Sequence, residues 1–116
     1  MLDSSFDTDG IAQFNFDQSG STINGLAIDD KERIIIAGYN SNGTDNDIML
    51  GRIKADGTAD SLFNTTGGKL WNYNNSESAN SVFVRSDGTI VIGGSNNLGM
   101  FPTDFFYIQK VLLPEP

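Results

Sequence analysis

The side chains able to do chemistry in this chain are carboxylates and aromatic rings. Asp7/Asp9, Asp29/Asp30 and Asp45/Asp47 form close acidic pairs of the kind used for acid–base work or for holding calcium. The run Asn40-x-Asn42-Gly43-x-Asp45-x-Asp47 places hard oxygen ligands at alternate positions, which makes Asp45 and Asp47 the calcium candidates. Its glycine and terminal acid do not sit where the twelve-residue calcium loop needs them. The expectation is therefore no resident metal or cofactor and no catalytic residue, with Asn and Asp closing turns on backbone donors. Histidine and cysteine are absent, which removes the usual general base, thiolate chemistry and thiolate metal sites. Trp71, Tyr73 and Tyr39, with Tyr107, supply faces on which a sugar ring could stack. They are the candidate ligand-binding residues. Arg52, set among apolar residues, reads as the structural partner of an aspartate such as Asp47.

The elements that must position these groups are strands. Ile11-Ala12-Gln13-Phe14-Asn15-Phe16 and Asn24-Gly25-Leu26-Ala27-Ile28-Asp29 alternate with period two. Arg33-Ile34-Ile35-Ile36-Ala37-Gly38 is a continuous β-branched run, the mark of a strand buried on both faces. Asp47-Ile48-Met49-Leu50-Gly51-Arg52-Ile53 is short and lacks helix caps. Ser86-Asp87-Gly88-Thr89 is a hairpin signal, because glycine accepts a positive φ. Asp30-Lys31-Glu32 lacks the glycine and is expected to turn by another geometry.

The chain matches itself at an offset of 57 residues at the start of the unit and 56 through its middle. Phe6 falls on Phe63, Gly10 on Gly67, Phe14 on Trp71, Phe16 on Tyr73, Asn24 on Asn80, Ile36 on Ile92 and Gly38 on Gly94. Asp47 then falls on Asp104, and Arg52 on Gln109, or on Lys110 after a one-residue shift. Two repeats follow, about 2–58 and 59–113, each with four strands, in one all-β unit. Because Trp71 and Tyr73 match Phe14 and Phe16, bulk at those positions also reads simply as core.

The formal charge of −8 and pI near 4.1 disfavour nucleic acid and anionic membrane as partners. The chain opens without a basic region or long apolar run, so no signal peptide is expected in it, and no segment is long enough to span a membrane as a helix. A surface rich in Asn, Thr, Ser and Gly without cysteine suits an exported bacterial protein, and the cytoplasm is the alternative.

Ile-Ile-Ile-Ala-Gly-Tyr, Asn-Asp-Ile-Met-Leu-Gly-Arg-Ile and Ala-Asp-Gly-Thr-Ala-Asp-Ser-Leu-Phe together resemble the delta-60 repeat, a β-propeller-type repeat of bacterial, often surface or secreted, proteins. That resemblance implies two four-stranded antiparallel propeller-like blades and an extracellular or cell-surface location. Two blades cannot close a ring. The expectation is a non-enzymatic binding or scaffold module that assembles head-to-tail with copies of itself, three chains giving six blades or four giving eight. The alternatives are a lectin-like protein with glycan sites between blades, a two-blade piece of a longer surface propeller, and two sheets packed as a sandwich. A protein ligand or a glycan is the expected external partner, and a carboxylate-dependent hydrolase is the remaining enzymatic reading.

Overall fold

The computed structural model describes residues 1–13, 20–64, 66–71, 76–97 and 104–111; for 96–97 and 104–111 the description is of the backbone. Among the described residues the chain is all-β and antiparallel. The strands are β1 (Gly20–Ile28), β2 (Ile34–Ser41), β3 (Asn46–Ile53), β4 (Gly68–Trp71), β5 (Ser76–Val84), β6 (Ile90–Asn97) and β7 (Asp104–Val111). They form a four-stranded sheet of order β1-β2-β3-β4 and a three-stranded sheet of order β5-β6-β7.

The two sheets are built alike. β1 and β5 lie 56 residues apart, as do β2 and β6. Each first strand carries a register shift at the same place, between Ile23 and Gly25 in one and between Ala79 and Ser81 in the other. A bulge adds one residue and bends the strand. Here the extra residues are Asn24 and Asn80, and the Asn24 side-chain amide donates to the Ala79 carbonyl at 3.0 Å, joining one bulge to the other. Facing the shift, Gly38 lies so close to the Thr22 carbonyl oxygen that no Cβ would fit.

Sheet and repeat boundaries do not coincide. β4 belongs to the second repeat, yet it hydrogen-bonds to β3 and completes the first sheet. The first sheet has four strands, but its fourth is β4 in place of the expected strand over 11–16, and three are described for the second. Residues 11–13, the start of the strand expected over 11–16, lie outside any strand; the remainder of that segment lies outside the described residues. β7 also departs from the expected alignment. Ser41 pairs with Asn46, and Asn97 with Asp104, so Asp104 stands at the ladder position of Asn46 rather than of Asp47. By the same ladder Ile35 pairs with Arg52 and Val91 with Lys110, which puts Lys110, not Gln109, at the Arg52 position. Register is decided by pairing along the whole strand, which outweighs one matching aspartate.

The core lies between the sheets. Ile35, Ala37, Ile48 and Leu50 of the first sheet meet Ala79, Ile90 and Ile92 of the second, with Phe63 from the β3–β4 connection and Trp71, Val82 and Val84 at the margin. A second cluster of Ile36, Met49 and Ile53, flanked by Ile34 and Leu70, occupies the opposite face of the first sheet. The β-branched run of β2 is accordingly buried on both faces, each Ile contributing about 1.5–3 kcal/mol from the apolar surface removed from water.

Three turns share one pattern. In the Arg85–Thr89 turn, Arg85 N donates to Thr89 O and Gly88 N to Arg85 O, with Gly88 at φ 89°. Lys54–Thr58 repeats it with Gly57 at φ 91°. So does Asp29–Arg33, where Glu32 takes the same position at φ 61°. The other geometry expected of Asp30-Lys31-Glu32 is not adopted. Both hydrogen bonds and the strand twist favour this three-residue loop, and Glu32 accepts the left-handed conformation to keep them.

Candidate functional site

The acidic pairs do not converge. Asp9 Oδ1 accepts from Ile11 N at 2.9 Å, closing a local turn. The Asp7 backbone N–H donates to Asp56 O at 2.7 Å, tying the N-terminal segment to the turn after β3. Asp29 accepts from the backbone of Lys31 and Arg33 and from Arg33 Nε at 2.6 Å, while its neighbour Asp30 is exposed. Burial works to raise the Asp29 pKa, but those hydrogen bonds and the Arg33 charge outweigh it and hold the carboxyl below its ordinary value.

Asn42 organises the calcium-like run. Its side-chain oxygen accepts from Thr44 N and Asp45 N at 2.8 and 2.9 Å. Its amide nitrogen donates to Asp45 Oδ1 at 2.6 Å and lies 3.4 and 3.5 Å from the two Asp47 oxygens. The amide therefore occupies the space between the carboxylates that a cation would need. Burial, with the nearby Asp45 charge, raises the Asp47 pKa against the lowering effect of Asn42. Among the described residues no group of three or more His, Cys, Asp or Glu gathers in a way that could hold a metal ion.

Of the aromatic candidates, Tyr39 and Trp71 share one face of the first sheet. Each pairs with Ile48 of β3, so they stand on either side of it. Both are half-buried. Trp71 packs against the core, and Lys69 Nζ lies 5.6 Å from the centroid of its ring. Tyr73 lies outside the described residues.

A buried charged cluster among the described residues is not legible as such in the sequence. Arg52 is 1% exposed and its Nε donates to Asp60 Oδ2 at 2.7 Å, so its partner is Asp60 and not Asp47. Arg33 Nη1 lies 3.9 Å from the same Asp60 oxygen, which links the pair to Asp29. Phe63 lies under the Arg52 guanidinium, 5.4 Å from Cζ to the ring centroid, in cation–π contact. The backbone completes the arrangement, since Arg52 N donates to Gly67 O and Arg52 O accepts from Asp60 N. Two arginines and two aspartates thus neutralise one another and clamp the β3–β4 connection onto β3. The Leu62 N–H to Asp60 Oδ1 bond is the local clue that Asp60 opens a turn. What sets its partner, the distant fold of the connection, leaves no sequence signal.

The remaining surface features are apolar. Ile23, Leu26 and Ile28 of β1 are 55, 60 and 64% exposed, and Phe83 of β5 is 64% exposed. Leu26 and Ile28 lie on the face of the first sheet turned away from the second, and Phe83 on the face of the second turned away from the first. No protein-family model, curated protein or solved structure matches the chain.

Proposed function

We propose that this protein is a non-enzymatic scaffold or binding module of β-propeller type, completed by head-to-tail association of identical chains into a ring of three or four. One observation carries this reading: the two sheets meet through non-equivalent faces. The second sheet contributes Val82, Val84, Ile90 and Ile92 to the shared core. Their counterparts in the first sheet, Leu26, Ile28, Ile34 and Ile36, lie on its far side. Conversely, the first sheet contributes Ile35, whose counterpart Val91 pairs with Phe83 on the far side of the second. Leu26 and Ile28 on the first of these far faces and Phe83 on the second are exposed, while Ile36 and Met49 beside the former are buried; each molecule therefore keeps part of each half of its own internal interface open. A symmetric sandwich would consume like faces and leave none.

Such a contact is heterologous, and repeating it closes a ring when the rotation per step divides a full turn. Exposed Leu26 and Ile28 on one copy would receive the Phe83 face of the next, as the first sheet's Ile35 face receives Val82 and Val84 within the chain. Sedimentation measures this directly. The expected mass is three or four times 12.5 kDa at micromolar concentration. Phe83→Asp and Leu26→Asp should each reduce it to one chain. A wild-type protein that sediments as a single chain overturns the reading.

A further inference from the structure

The N-terminal segment is a second copy of the clamp that fastens β4 to β3. Phe6 N donates to Asp3 O at 3.0 Å and Gly10 N to Phe6 O at 2.7 Å. Fifty-seven residues on, Phe63 N donates to Asp60 O at 2.9 Å and Gly67 N to Phe63 O at 2.8 Å. The side-chain bonds match as well, Asp3 Oδ1 accepting from Ser5 N and Asp60 Oδ1 from Leu62 N. Backbone conformation agrees at Asp7 and Asn64, φ 48° and 52°, and at Gly10 and Gly67, φ 85° and 89°. The surroundings differ. Asp60 and Phe63 are buried at 3% each, whereas Asp3 is exposed and Phe6 half-buried. Residues 11–13, the counterparts of β4, pair with no strand, and Ile11 is 52% exposed.

Resting on the head-to-tail assembly above, we propose that residues 3–13 of a second copy dock on the free edge of β7, with residues 11–13 becoming the fourth strand of the second sheet. Among the described residues β7 is paired on its β6 side alone. The ladder sets the register. Gly68, Lys69 and Leu70 pair with Gly51, Leu50 and Met49. Gln109, Ile108 and Tyr107 stand at those three positions of β7. Ile11 therefore pairs with Gln109, Ala12 with Ile108 and Gln13 with Tyr107. Because Arg52 N donates to Gly67 O, hydrogen-bonded pairs alternate from there, and Ala12, like Lys69, is the next residue whose N–H enters the ladder. Charge is complementary too. Lys110 holds the register position of Arg52, and the incoming Asp3 is the counterpart of Asp60. A preformed turn loses little conformational freedom on docking, which favours this segment as the occupant.

The test is a sedimentation series on the full chain with charge-swapped variants. Lys110→Glu and Asp3→Lys should each weaken assembly by about ten-fold or more, and the double variant should restore it, as expected of a close interfacial charge pair. Ala12→Pro should weaken it similarly by removing a ladder donor. Asp3 is exposed but its carboxylate also holds the turn through Ser5 N, so restored assembly in the double variant, which a lost turn would not give, is the deciding readout. If Phe83→Asp dissociates the assembly while Asp3→Lys, Lys110→Glu and Ala12→Pro leave it intact, strand docking is overturned and assembly through the faces stands. A wild-type chain that is monomeric at all concentrations overturns both.

Discussion

The connection after β3 and the N-terminal segment have the same turn, the same hydrogen bonds and the same left-handed positions, yet one is a buried clamp and the other lies on the surface. The turn keeps one form in two surroundings, one buried and one tied to the chain through the Asp7 N–H to Asp56 O bond, so its shape is set mainly by local bonding. Asx bonding by Asp3 or Asp60 and a positive φ at Gly10 or Gly67 shape it. What makes the clamp strong is a buried cation beneath it. Arg52 supplies one under the connection, and among the described residues no ion pair to Asp3 is seen in the N-terminal copy.

Breaking this comparison should produce the largest effect. Asp60→Ala leaves the Arg52 charge buried without its partner and should cost about 3–5 kcal/mol of stability in a denaturant titration. Asp3→Ala, at the matching exposed position, should leave the stability of the isolated chain unchanged. If the two substitutions destabilise equally, burial is not what distinguishes the two segments. Phe63→Ala removes both a core ring and the surface under the guanidinium, and should cost about 3–5 kcal/mol, against a clearly smaller loss for half-buried Phe6→Ala.

The hairpin turns sharpen the comparison at a smaller scale. Glu32→Gly should stabilise the chain by about 1 kcal/mol, because glycine occupies the left-handed region without the Cβ penalty. Gly88→Ala, at the matching position of the other sheet, should destabilise it by about 1–2 kcal/mol. Thermal midpoints moving in opposite directions would verify that both loops share one geometry.

The smallest effect is electrostatic. Asp47 has a raised pKa in the fold, so the folded state binds its proton more readily than the unfolded chain. Its contribution therefore favours folding below the ordinary carboxylate pKa and is lost as pH rises through the raised value. Asp29, whose pKa is lowered, acts in the opposite sense, and its stabilisation is lost as pH falls through the lowered value. Asp47→Asn should flatten the first of these slopes in a pH series of unfolding midpoints and leave the second.

Much of the fold was legible because its causes are local. Period-two alternation marked β1, the continuous β-branched run marked β2, shortness without helix caps marked β3, the repeat carried these to the second half, and Asp87-Gly88 marked the turn before β6; the same alternation at residues 11–13 meets no strand. The Glu32 turn is not legible, since a missing glycine looks decisive until two hydrogen bonds and the pairing of Ile28 with Ile34 are set against about 1 kcal/mol of strain. The site residues fared according to range. Asn42 is within reach of Asp45 and Asp47 in sequence, so their mutual bonding could be anticipated as turn closure. The partner of Arg52 could not, because seven intervening residues must first turn back over β3.

The sequence by itself determined an all-β chain, its turns, its apolar faces and the likeness of its two halves, each of which rests on contacts between near neighbours. Only the tertiary structure decided which sheet receives β4, that Lys110 and not Gln109 stands at the Arg52 position, and which face of each sheet is covered. Those outcomes depend on strand pairing and stacking across long separations, where a single residue of register or one choice of face changes every contact and leaves the local pattern unaltered.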